Sequence, residues 1–138
     1  SCGCVQKGGS APIMDVIDYG EPVTTKGLNM LYGPGNDLVS ATALTAAGAH
    51  MVLFSTGRGT PFGAPAPTLK IATNSQLAAR KKTWIDFNAG VVADGERTLD
   101  EAGADLYRLV LDVASGKQTC AEKKGFREIS IFKDGVVL

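Results

Sequence analysis

Thr56-Gly57-Arg58-Gly59-Thr60 sets one permanently charged guanidinium between two glycines. Such glycines allow backbone shapes that side chains forbid and let main-chain N–H groups approach an anion. The guanidinium is a planar fork that matches a carboxylate or a phosphate. The connection carrying it, residues 56–67, is long for a compact domain, which favours function or an interface over mere linkage. Thr56, Gly57, Arg58, Gly59 and Thr60 are therefore read as a binding segment for an acidic substrate. A surface turn with a solvated arginine is the plainer alternative. A dinucleotide loop fails on context: Gly63 falls one residue too late for G-x-G-x-x-G. Pro61, Pro65 and Pro67 also block the helix whose N-terminus would face a pyrophosphate. No nucleotide cofactor is expected.

Other residues of this kind are spread along the chain. Asn36 and Asp37 follow an apolar stretch, as does Asn74, while Asp86 and Asn88 flank Phe87. Each of Asn36, Asp37 and Asn74 also reads simply as a helix cap. Lys7, in Cys4-Val5-Gln6-Lys7-Gly8-Gly9, could hold an anion or exchange a proton. Lys70 alternates with apolar neighbours, a pattern that predicts a snorkelling or paired lysine. His50 opens an apolar run and is read as structural. Three cysteines, Cys2, Cys4 and Cys120, make no even disulfide set and are read as reduced thiols. With His50 as the sole histidine beside three cysteines, the chain holds no more than the four ligands a closed zinc site takes, and no complete zinc or cluster site is expected within it. Cys4 is a weak candidate ligand for a metal supplied mainly from elsewhere.

These residues need a scaffold, and the hydrophobic pattern supplies one. Residues 1–27, rich in Gly, Ser, Thr and Pro, predict an irregular leading segment, with a helical turn or strand at residues 13–17. Residues 28–138 predict an α/β domain. Strands are expected at residues 28–32, 50–55, 68–73, 84–87 and 128–132. The apolar run at 50–55 is of the kind covered on both faces in a parallel sheet. Helices are expected at residues 37–47, closed by Gly48, and at 75–81. A longer one starts at Thr98, where Thr98-Leu99-Asp100-Glu101 is a capping box. Leu99, Ala102, Leu106, Leu109, Val110 and Val113 then fall on one face. Strand–helix alternation implies a doubly wound, mostly parallel sheet with helices on both faces, Rossmann-like. In such sheets ligands bind at the carboxyl ends of the strands, which gathers the loop at Arg58 with Asn36, Asp37, Asn74, Asp86 and Asn88.

Composition narrows the function classes. The chain has 138 residues, one ordinary domain, and its 14 basic and 14 acidic side chains are intermixed. That balance gives no electrostatic reason to expect nucleic acid or an anionic membrane as partner. No apolar run approaches the roughly 20 residues that span a bilayer, and no secretory signal is visible, so a cytoplasmic protein is expected. The first residue is Ser1 rather than methionine, which predicts that the chain belongs to a longer reading frame or follows processing.

The motifs resemble those of the altronate/galactarate dehydratase family in order and spacing. They are Gly3-Cys4-Val5-Gln6-Lys7-Gly8-Gly9, Pro34-Gly35-Asn36-Asp37 and Leu53-Phe54-Ser55-Thr56-Gly57-Arg58-Gly59-Thr60-Pro61-Phe62-Gly63. Lys70-Ile71-Ala72-Thr73-Asn74, Ile85-Asp86-Phe87-Asn88-Ala89-Gly90 and Val113-Ala114-Ser115-Gly116-Lys117 continue the match over nearly the whole chain. Cys2 departs from the aliphatic residue the family pattern would place there. The resemblance implies a hydro-lyase, with Fe(2+) the expected metal, acting on hexonate or hexarate sugar acids as the C-terminal domain of a larger enzyme. It further implies missing N-terminal domains as partners, leaves a homo-oligomer open, and predicts that the fragment alone is inactive. The residues read directly suggest Asp37 and Asp86 as catalytic, metal or proton-transfer partners, and Lys7 as a catalytic acid or base. Asn36, Asn74 and Asn88 would orient substrate hydroxyls, and Arg58 with the glycine amides would hold its carboxylate. Two alternatives stand beside this: a non-catalytic assembly or binding domain, and a lyase for a sulfonated hydroxy acid.

Overall fold

A computed structural model describes residues 8–130. Cys2, Cys4 and Lys7 lie outside the described residues, as do Ile131 and Phe132 at the end of the expected last strand. Strand β1 (Ile13–Ile17) pairs in parallel with β2 (Leu28–Leu31), so the leading segment contains a strand, one of the two conformations expected there. Helix α1 (Asp37–Ala46) follows as the pattern predicts. Its first free N–H groups, those of Leu38 and Val39, donate to Asn36 Oδ1 at 3.1 and 3.2 Å, and Gly48 takes φ +110° just past its end.

The second sheet is parallel throughout, in the order β3 (Val52–Thr56), β4 (Thr68–Ala72), β5 (Phe87–Asn88). The class is thus α/β with parallel strands, and among the described residues the strands divide between two sheets. Burial corrects one expectation. β3 lies at an edge, and its Leu53 is 52% exposed, so the apolar run at 50–55 is covered on one face only. The strand covered on both faces is the central one, β4, where Thr68, Leu69, Lys70 and Ala72 are all buried. Exposed His50 precedes β3 at its amino end.

Helix α2 (Ser75–Arg80) and the short α3 (Gly90–Ala93) flank β5 in sequence. Gly90 is where they meet: a Cβ there would fall 2.2 Å from Ser75 N, so no larger residue fits. The 84–87 strand is displaced to Phe87–Asn88, because the amides of Trp84 and Ile85 turn back to the Lys81 carbonyl instead of joining the ladder. Helix α4 (Leu99–Ala114) has the predicted capping box, with Thr98 N on Glu101 Oε2 at 2.9 Å and Glu101 N on Thr98 Oγ1 at 3.2 Å. A second box, Thr119 with Glu122, opens α5 (Cys120–Lys123).

Of the expected last strand, residues 128–130 are described and form no ladder. Their amides go elsewhere, Glu128 N to the Gly63 carbonyl at 2.7 Å and Ser130 N to Thr42 Oγ1 at 3.1 Å. The main core joins Ala41 of α1, Val52 of β3, Phe62 and Ala64, with Phe54 edge-on to Phe62 at 5.1 Å between ring centroids. Phe62 and Ala64 come from the 56–67 connection, so this loop is anchored in the core. It is also the crossover between two parallel neighbours, which needs about a dozen residues whatever its function.

Candidate anion-binding site

The carboxyl ends of β3 and β4 meet the start of α2, and there the chain folds around a depression of about 270 Å³. Its lining comprises Gly57, Arg58, Asn74, Gln76, Leu77, Arg80 and Lys81. Three cations therefore face one space, and the lining contains no acidic side chain. Among the described residues, the ion pairs are Arg97–Asp105, Arg108–Asp105 and Lys117–Asp112, so none neutralises these three. Like charges held together without a counterion repel each other, and an anion relieves that repulsion.

The turn that presents Arg58 is tightly specified. Thr56 Oγ1 accepts from Gly59 N at 2.9 Å and from Arg58 N at 3.4 Å. Two amides expected to face a ligand are thus taken up by Thr56, whose hydroxyl closes the turn. Gly59 adopts φ +82°, a left-handed shape that favours glycine. A Cβ there would also press Leu77 and Lys81 at 3.1 Å each.

Asn74 serves the turn and the helix together. Its Oδ1 accepts from Leu77 N at 2.8 Å, capping α2, while its Nδ2 donates to the Gly57 carbonyl at 3.1 Å. Lys81 closes the same helix and donates Nζ to the Arg58 carbonyl at 3.2 Å, with its ammonium 4.4 Å from the Trp84 ring centroid. The Thr60 carbonyl accepts from Lys70 Nζ. Lys70 is only 1% exposed and neither snorkels nor has a carboxylate within ion-pair distance among the described residues. Burial lowers its pKa below the usual lysine value, against the raising influence of Asp86 and Glu128.

The remaining candidates separate. Asn88 sits opposite Ala72 at the edge of the sheet, where its Nδ2 donates to Ser75 Oγ at 3.0 Å and its Oδ1 accepts from Gly90 N at 3.0 Å. It braces the α2 start beside Asn74 without lining the depression. Asn36 caps α1, and Asp37 stands exposed in its first turn after the other sheet; neither lines the depression. Asp86 lies level with Lys70, below the carboxyl edge. Its Oδ2 accepts from Lys70 N at 2.8 Å and its Oδ1 from Cys120 N at 2.7 Å, so both oxygens tie β4 to the start of α5. Beside it, burial first and then Asp86 push the Cys120 thiol pKa up.

Arg80 and Lys81 line the same depression as Arg58, and the sequence reading missed them. The available signal was the run Arg80-Lys81-Lys82, ending a helix too short to carry it away from the Arg58 turn. The donor set for a metal is a separate matter. Among the described residues, no three His, Cys, Asp or Glu side chains are grouped to hold an ion, and the depression offers cations and amides. The iron that the family resemblance implies does not fit these residues. A second hollow, about 430 Å³ and apolar, lies between β5, α3 and the first turns of α4, where Leu99 is 74% exposed.

Open parallel α/β sheets bind their ligands outside the carboxyl ends of the strands, which is where this cation-lined hollow lies. Comparison with known proteins makes the assignment definite: residues 1–137 match the family model described as D-galactarate/altronate dehydratase, C-terminal, and the chain belongs to that family. It is 54% identical over 138 residues to altronate dehydratase of Escherichia coli (strain K12), covering all of this chain and 28% of that protein. It is 38% identical to galactarate dehydratase (L-threo-forming) of the same organism, over 98% of this chain and 26% of that protein. The beta subunit of (2R)-sulfolactate sulfo-lyase from Chromohalobacter salexigens is 32% identical, over 91% of this chain and 33% of the subunit. The chain thus spans between a quarter and a third of these relatives. Among the described residues, no helix is long and apolar enough to cross a membrane.

Proposed function

We propose that this chain is the C-terminal domain of a sugar-acid dehydratase and that its cation-lined depression holds a carboxylate of an altronate- or galactarate-like substrate. The observation that carries the reading is the grouping of Arg58, Arg80 and Lys81 around one hollow with no acid among them. Dehydration of such an acid removes the proton at the carbon next to the carboxylate. The carbon–carbon double bond forms as the neighbouring carbon–oxygen bond breaks. The hydroxyl leaves, taking up a proton to become water, and the enol tautomerises to a 2-keto-3-deoxy acid. The difficult step is deprotonation, because it adds charge to an existing carboxylate. Fixed cations beside that carboxylate stabilise the growing charge more than the ground state.

Arg58 is the main carboxylate ligand in this reading, with Arg80 and Lys81 adding positive potential. One charge-assisted contact contributes only about 1.5–3 kcal/mol net, so other groups must supply most of the acceleration. Asp86, held by two backbone amides, acts here as a brace. The base is drawn from Asp37, Lys7 or the rest of the intact enzyme. The iron expected from the family takes its donors from outside the described residues. The remaining domains are the partners of this chain, and a cytoplasmic location completes the proposal.

The sulfo-lyase relative supports a second reading, in which the acid is a sulfonated hydroxy acid. Kinetics of Arg58→Lys in the intact enzyme, run on altronate, galactarate and a sulfonated hydroxy acid, test both readings. A drop in kcat/KM on a sugar acid supports the first, and a drop confined to the sulfonated acid supports the second. An assembly role alone leaves every rate at the wild-type value.

A further inference from the structure

The carbonyls of Gly57, Arg58, Gly59 and Thr60 are four in succession, and side chains hold all of them. Asn74 Nδ2 takes the first at 3.1 Å, Lys81 Nζ the second and third at 3.2 and 3.5 Å, and Lys70 Nζ the fourth. Asn74 and Lys81 reach the turn from the two ends of α2, at the rim. Lys70 reaches it from beneath, out of the middle of the most deeply buried strand. Its ammonium lies 5.4 Å from the Phe62 ring centroid and has no acid in ion-pair contact among the described residues.

Stability alone does not account for a lysine there. An unneutralised ammonium loses its hydration on burial, and one carbonyl and one ring face restore only part of that. An apolar side chain of similar length would fill the slot without the cost. The lowered Lys70 pKa, caused first by desolvation, agrees with a charged form that the fold holds at a disadvantage. What an apolar residue cannot do is hold the Thr60 carbonyl.

We infer that Lys70 is a positioning residue: its ammonium fixes Thr60, two residues from Arg58, and so sets where the guanidinium stands in the cation-lined hollow. The inference rests on the proposed carboxylate role of Arg58. Lys70 touches the turn and not the substrate.

The test compares Lys70→Met with Arg58→Lys in the intact enzyme by three measurements: sugar-acid kinetics, melting temperature, and amide exchange of the peptide covering residues 56–67. For Lys70→Met, kcat/KM should fall about tenfold, corresponding to loss of about 1.4 kcal/mol of positioning. Exchange in the 56–67 peptide should quicken, while the melting temperature holds or rises. A lysine needed only for folding would instead lower the melting temperature and leave the turn no looser than the rest. Unchanged exchange in 56–67 with unchanged kinetics overturns the inference. A fall in kcat/KM for Arg58→Lys without one for Lys70→Met overturns it while leaving the carboxylate site intact. Wild-type kinetics in both overturn the site reading and the inference with it. Should Lys70→Met fail to fold, Lys70→Leu, apolar and unable to hold the Thr60 carbonyl, takes its place with the same expected outcomes.

Discussion

Asn74 donates its side-chain amide to the Gly57 carbonyl at 3.1 Å, coupling the cap of a six-residue helix to the turn that carries Arg58. The two halves of that side chain have separable tasks. Asn74→Asp keeps an oxygen acceptor for Leu77 N but replaces the donor with a carboxylate facing the Gly57 carbonyl and three nearby cations. Melting temperature should stay within a few degrees of wild type. The KM for a sugar acid should rise about tenfold or more, since a resident carboxylate competes for the same cations and one charged contact is worth about 1.5–3 kcal/mol. Steady-state kinetics with a parallel thermal scan check both halves, and an unchanged KM would detach Asn74 from the site.

Gly59→Ala probes the turn itself. At φ +82° an alanine incurs about 1–2 kcal/mol of backbone strain, and its Cβ crowds Leu77 and Lys81. Denaturant unfolding should show a loss of at least that size. Because Lys81 is one of the atoms displaced, affinity for the acid should fall as well.

The capping box of α4 makes a prediction about pH. Hydrogen bonds from the Thr98 backbone and then its side chain hold the Glu101 pKa below the usual glutamate value. Such a lowered carboxylate contributes stability above its unfolded pKa and loses it as pH falls through the folded one. Thr98→Ala removes the hydroxyl and should cost about 1 kcal/mol near neutral pH. The difference from wild type should shrink on acidification below the ordinary glutamate range, as followed by unfolding at a series of pH values.

What the sequence made legible was chiefly local. Asn36, Asn74 and Thr98 announce helix starts because a cap is a contact between residues two or three apart, and all three hold. The parallel α/β class was legible too. Which strand is central was not, because burial depends on neighbours far away in sequence. The apolar run at 50–55 became an edge, and lysine-bearing β4 became the centre. The strand expected at 84–87 moved because the amides of Trp84 and Ile85 close a turn on the Lys81 carbonyl just after α2. That shift left Asp86 below the carboxyl edge, bound by Lys70 N and Cys120 N, and the second of these partners is 34 residues away. Arg58 was visible from its glycines, whereas Arg80 and Lys81 joined it only through the fold.

The central claim is that the three cations of this hollow bind the carboxylate of a sugar acid. The most direct measurement is kcat/KM for altronate and galactarate in intact enzyme carrying Arg58→Lys, alongside Arg80→Ala. Lysine keeps the charge but loses the two-pronged geometry, so the account predicts a fall of about tenfold to a hundredfold, the size of one charge-assisted contact. Arg80→Ala should give a smaller fall, with stability unchanged in both. Wild-type kinetics on both acids in the folded Arg58→Lys enzyme would contradict the account.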